Sequence, residues 1–353
     1  MSNSKMTSLE RVLVTLGHEE PDRVPLFLLL TMHGAKELGL SIKDYFSKGE
    51  YVAEGQLRLL EKYGHDCLYS FFYAAVEIEA WGGEVVYRDD GPPNSGRPFI
   101  SAPAAIAGLE VPSVKETPCL VKVLEATSLM KKEIGDRAPI IGVVMSPFSL
   151  PVMQVGFEAY LEMIYNDRQL FNQLIELNEN FCVEWANAQL EAGATAICYF
   201  DPVSSPTIIP RELYLQTGFP VAQRTMGRIQ GATATHMASG HVLPIIENLA
   251  ATGTAAVGVS ASEYLREIKE ACQGKMTVIG NLNGLEMVHW SREDAAGAVK
   301  KAIADAASGG GFILSDNHGE IPYQVSGEVL LAVSEAVKSF GVYSPDRLVK
   351  NDD

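Results

Sequence analysis

Two histidines close the stretch A-T-A-T-H and M-A-S-G-H at residues 232–241, and a third stands in S-D-N-H-G-E-I-P at 315–322. Imidazole titrates nearest neutrality of all side chains and is the commonest metal ligand, so His236 and His318 suit proton transfer or metal binding. Asp201 stands ahead of Pro202, His33 and Tyr73 each follow an apolar run, and Asn281 and Asn283 follow another. A carboxylate beside imidazoles suits acid–base work, and the amides and phenol suit holding a polar substrate. Each residue alone is equally at home elsewhere. Asp201 can cap a turn, His33 can decorate a helix start, and His241 reads as structural. Glu77 and Glu79 are two apart and cannot share one helix face, so at most one points inward. Any joint chemistry requires a fold that gathers these positions.

Eight short apolar runs could do so, at residues 25–30, 67–72, 140–145, 196–200, 232–236, 255–259, 277–280 and 312–315. Between them lie segments with helical spacing, including 157–190, 263–271 and 292–307. Continuous apolar runs alternating with helices indicate parallel strands buried on both faces. Eight such units predict an α/β protein of the (β/α)8 TIM-barrel class. The doubly wound sheet is disfavoured, because no G-x-G-x-x-G follows the first run. The stretch 82–100 breaks the rhythm with two strand-like pieces around a Gly/Pro turn, which predicts a hairpin inserted after strand two. No linker or repeat divides the chain, so residues 1–353 read as one domain. The triple glycine 309–311 precedes its strand, whereas phosphate loops follow one, and reads as a helix C-terminal turn.

In such barrels the chemistry lies at the C-terminal strand ends. Those ends carry His33, Tyr73, Ser146, Asp201, His236, Asn281 and Asn283, and then Asp316, Asn317 and His318. The candidates therefore share one end of one barrel.

Composition narrows the setting. The 353 residues are 47% hydrophobic and 20% charged, with 28 basic against 44 acidic side chains and a net charge of −16. That balance argues against nucleic acid or an anionic membrane as partner. No apolar run approaches the roughly 20 residues of a membrane span, and the first residues lack the apolar stretch of a signal peptide. Five cysteines without metal or disulfide spacing fit a reducing cytoplasm. A homodimer is compatible with all of this and is left open.

The stretches at 9–26 (L-E-R-V-L-V-T-L-G-H-E-E-P-D-R-V-P-L), 201–214, 278–283 and 312–322 resemble the uroporphyrinogen decarboxylase superfamily. The resemblance covers nearly the whole chain and implies the same (β/α)8 barrel. It also implies a choice between decarboxylases and cobamide-dependent methyltransferases. The decarboxylases carry R-Q-A-G-R after the first strand to hold porphyrinogen carboxylates; here that place reads L-T-M-H-G-A-K. They place an aspartate after the second strand; here Y-S-F-F-Y-A-A-V has none. The methyltransferase branch binds zinc through H-x-C-G after strand five and a cysteine in G-C-G after strand eight. Here His236 keeps the first position, Ala238 replaces the cysteine, and His318 stands at the second.

The resemblance thus implies a methyltransferase that moves a methyl group between a small substrate, such as a methyl ether or methylamine, and the cobalt of a separate corrinoid protein. It implies zinc on His236 and His318, with an oxygen from Asp316, Glu320, Asp201 or Glu77 as third donor, since catalytic zinc takes three protein ligands. Imidazole and carboxylate ligands leave a harder metal than thiolates, which favours an oxygen leaving group. Without metal, His236 or His318 would serve as general acid. The implied catalytic set is His236, His318 and Asp201, with His33, Tyr73, Asn281 and Asn283 binding substrate. The alternatives are a decarboxylase of a small carboxylic acid and a methylcobamide:thiol methyltransferase.

Overall fold

The computed structural model describes residues 6–316 and 319–343. In chain order its strands are β1 (Leu68–Tyr69), β2 (Val85–Val86), β3 (Asn94–Ser95), β4 (Ile140–Met145), β5 (Ala196–Phe200), β6 (Ala232–His236), β7 (Ala256–Gly258), β8 (Thr277–Leu282) and β9 (Phe312–Asp316). Seven of them form one parallel sheet in the order β1-β4-β5-β6-β7-β8-β9. β2 and β3, two residues each, pair antiparallel within the 82–100 segment.

The sheet curls round until its edges meet the same extended segment. Leu26 bridges Leu314 of β9, and Phe27 N–H donates to the Leu314 carbonyl at 2.8 Å. On the other side Asp66 N–H, just ahead of β1, donates to the Leu26 carbonyl at 2.7 Å. The first apolar run therefore fills the eighth position by a single bridge rather than a six-residue strand. It leaves the ladder early because Leu30 N–H turns back to the Leu28 carbonyl and Leu29 N–H faces the Asp316 carboxylate.

Inside the curl, Phe27, Tyr69, Ile141 and Ile313 pack together. Outside it, side chains such as Val257, Val278 and Leu330 are buried completely between sheet and helices. Each such burial contributes roughly 1.5–3 kcal/mol relative to exposure. The predicted helix over 157–190 is two helices, Phe157–Asn166 and Arg168–Glu191. Asp167 separates them, and its carboxylate caps the second by accepting the Leu170 N–H at 3.0 Å.

The floor of the curl, at the N-terminal strand ends, is fastened by charge. Asp66 is fully buried and accepts from Arg11 at 2.7 Å, from Arg23 at 2.7 and 3.0 Å and from Leu26 N–H at 2.8 Å. Arg11 also grips Asp22 with two bonds, at 2.6 and 2.8 Å. Among the described residues no helix is long and apolar enough to cross a membrane.

Candidate active site

Strand alternation places the site. Along β5 the residues Ala196, Cys198 and Phe200 face the lumen, while Ile197 and Tyr199 are buried towards the helices. Along β6 the same period turns Ala234 and His236 inward. His236 is the last residue of its strand, in register with Phe200 and Gly258. A cavity of about 180 Å³ opens here, lined by apolar side chains such as Phe27, Tyr69 and Ile279, and by His236, Asp316 and Glu320. No arginine or lysine lines it among the described residues.

The His236 ring is held on three sides. It packs on Phe200 with centroids 5.6 Å apart and planes 32° apart. It lies so close over Gly258 that a Cβ there would come within 2.5 Å of its Cδ2. Its Nδ1 accepts the Ala238 N–H at 3.0 Å, in a turn that puts Ala238 at a φ of +50°. With Nδ1 accepting, the neutral ring carries its proton on Nε2.

Two carboxyl groups complete the polar rim. Burial pushes Asp316 up to about 7, against a long 3.4 Å hydrogen bond from Leu29 N–H. Burial raises Glu320 to about 7 as well, and its Oε1 has no partner among the described residues. Taking a carboxylate out of water disfavours the charged form, so both groups hold protons far above the ordinary carboxylate range.

The other expected site residues lie apart from this cavity. Asp201 is buried with its carboxylate turned away to the Ser146 and Ser149 hydroxyls, at 2.5 and 2.7 Å. Tyr73 donates to Glu79 at 2.5 Å and accepts from the Tyr87 hydroxyl at 3.2 Å. Asn281 donates to the Ser260 and Glu263 carbonyls, tying the end of β8 to the loop after β7. Asn283 accepts the Leu285 and Glu286 N–H groups and shapes the next turn. His33 is buried in a different cleft. His318 lies outside the described residues. Of the Glu77/Glu79 pair, Glu77 is the buried one, 3% exposed, but it points behind the sheet. Its Oε1 accepts Met145 N–H at 2.8 Å and Oε2 has no partner among the described residues. Burial lifts its pKa to about 8, despite the Met145 N–H and the Trp185 indole beside it.

The described residues do not fit a zinc centre. Zinc needs an imidazole lone pair, and the Nδ1 lone pair of His236 is engaged by the Ala238 N–H. The lumen thiol, Cys198, is kept protonated by burial, with a pKa pushed up to about 12. Among the described residues no three His, Cys, Asp or Glu side chains are grouped to hold a metal ion.

Sequence reasoning missed Phe200, Cys198 and Gly258, while Glu320 stood among the oxygen donors it offered. Period-two alternation along 196–200 carried the signal for the first two. Register across β6 and β7 would have paired Gly258 with His236.

A curled parallel sheet with an imidazole and two carboxyl groups at the C-terminal strand ends defines an α/β barrel of enzymatic type. Residues 7–340 match the family described as uroporphyrinogen decarboxylase (URO-D), and the chain belongs to that family. It is 25% identical to the methylcobamide:CoM methyltransferase MtaA of Methanosarcina barkeri, over 79% of this chain and 84% of that protein. It is 26% identical to a uroporphyrinogen decarboxylase of Thioalkalivibrio sulfidiphilus, over 94% of this chain and 97% of that protein. The fold is that of a methyltransferase from Methanosarcina mazei, with a TM-score of 0.85 at 22% identity, covering 95% and 99% of the two chains.

Proposed function

We propose that this chain transfers a methyl group between a small substrate and the cobalt of a corrinoid carried by a separate protein docked over the barrel mouth. The observation that carries the reading is the cavity itself. At about 180 Å³ it falls below the roughly 300–1,000 Å³ of pockets for drug-sized ligands. Its described lining offers no cation to a polycarboxylate. A tetrapyrrole with several carboxylates would find neither room nor counter-charge there, whereas a small methyl ether or methylamine suits apolar walls with a few polar groups at the rim. The alternative of decarboxylating a small acid has less support. Arg97 and Arg211 are both exposed, and Arg211 is engaged by the Pro244 carbonyl and Asn248.

The bound corrinoid would supply the methyl-carrying centre. The residues of this chain hold and shield the substrate. Phe200, Phe27 and Tyr69 exclude water from it, and the Nε2–H of His236 is positioned to donate a hydrogen bond to the departing oxygen or nitrogen. No metal is required for that role.

The test is incubation with cob(I)alamin and a panel of methyl ethers, methylamines, thiols and methylfolates, with methylcob(III)alamin followed by absorbance. Methylation by at least one donor, lost in His236→Ala, is expected. Silence across the panel, or turnover of uroporphyrinogen, would overturn the reading.

A further inference from the structure

A second cleft, of about 360 Å³, lies between the helix Gly49–Tyr63 and the helix Gly327–Phe340. It shares no lining residue with the lumen cavity. His33 sits at its inner wall, 3% exposed, and neither ring nitrogen has a partner among the described residues. The edge of Tyr323 meets the ring at 6.0 Å and supplies no acceptor for it. Buried polar groups are ordinarily paired, so an imidazole with both nitrogens unmet calls for a ligand.

The surroundings indicate its charge. Lys36 lies over the Tyr323 ring at 4.0 Å and donates to the Tyr323 carbonyl, and Lys62 pairs with Glu37 at 2.5 Å. Both ammonium groups line the cleft. Burial first, and then these two charges, push His33 down to about 3, so the ring stays neutral and offers one N–H. The opposite wall is the start of a 14-residue helix, where Ser326 Oγ accepts only the Val329 N–H. First-turn amides of a helix lack intrahelical acceptors and carry partial positive charge. The carboxylates facing the cleft are Glu37, already paired, and Glu328, exposed in the first helical turn.

We propose that this cleft binds a phosphate group, free or as a phosphate ester, between Lys36, Lys62, the His33 N–H and the N-terminus of the helix Gly327–Phe340. Donors that converge from three directions suit a tetrahedral dianion better than a planar carboxylate, which presents two oxygens in one plane. The site is independent of the methyl-transfer reading, because the two cavities have no residue in common.

Inorganic phosphate is the probe, titrated at low ionic strength into protein labelled with 15N at histidine. Calorimetry should show one saturable site, and the His33 nitrogens, assigned with His33→Gln, should shift along the same isotherm. Lys36→Met and Lys62→Met, both exposed positions, should each weaken binding at least tenfold with unchanged circular dichroism. Chloride at matched ionic strength should not substitute. Absence of a saturable His33 shift would overturn the proposal, and so would unchanged affinity in the Lys36→Met/Lys62→Met double variant.

Discussion

Replacing Glu77 by glutamine removes a proton that the folded chain holds and the unfolded chain releases. The buried carboxyl titrates at about 8 against an ordinary value of 4.5. Between those values the folded state binds more protons, so stability falls as pH rises. The contribution is fully present below 4.5 and is lost as pH climbs through 8. From pH 5 to pH 7 the slope of about 1.4 kcal/mol per pH unit applies almost throughout, giving a loss of about 2–3 kcal/mol. Glutamine keeps an oxygen for the Met145 N–H and cannot titrate. Urea unfolding of both proteins at pH 5 and pH 7 isolates the effect, because every other titrating group cancels in the comparison. The stability gap should move by about 2–3 kcal/mol in favour of the variant between the two pH values. A gap that stays constant would show that Glu77 is ionised or hydrated in the folded state, and the reasoning from burial would fail.

Gly258→Ala should leave the fold intact while displacing the His236 ring, since the new methyl would stand 2.5 Å from Cδ2. The expected readout is a shift of the His236 imidazole resonances with methyl transfer down at least tenfold; unchanged resonances would contradict the packing. Asp66→Ala leaves Arg11 and Arg23 without their shared buried carboxylate, and should lower unfolding free energy by about 3–5 kcal/mol in denaturant titrations. Elemental analysis of protein purified without chelator should find zinc well below one equivalent per chain. A full equivalent that disappears in His236→Ala would restore a metal centre to this barrel.

Strand-end positions were legible in the sequence because apolar runs mark strands, and the barrel rule then points to their C-terminal ends. His236 indeed ends its strand. Orientation was less legible. Asp201 follows its strand just as His236 ends the next, yet its carboxylate turns to Ser146 and Ser149, which lie more than fifty positions earlier in the chain. Nothing local to residues 196–204 signals that attachment. The break at Asp167 was hidden by unbroken apolar spacing on both sides, although an aspartate two residues before Gln169 is an ordinary capping signal. The first run looked like a full strand because its composition is apolar, but Asp316 draws the Leu29 N–H out of the ladder from 287 positions away.

The floor clamp has a consequence for kinship. Arg11, Asp22 and Arg23 all lie in the opening stretch, one of the four by which the chain is recognised, and all three are engaged in fastening the barrel closed at the end remote from His236. Likeness in that stretch sorts proteins by their foundations and is silent about their trade. Relatives named for two different reactions can then stand equally far from this chain, at 25% and 26% identity.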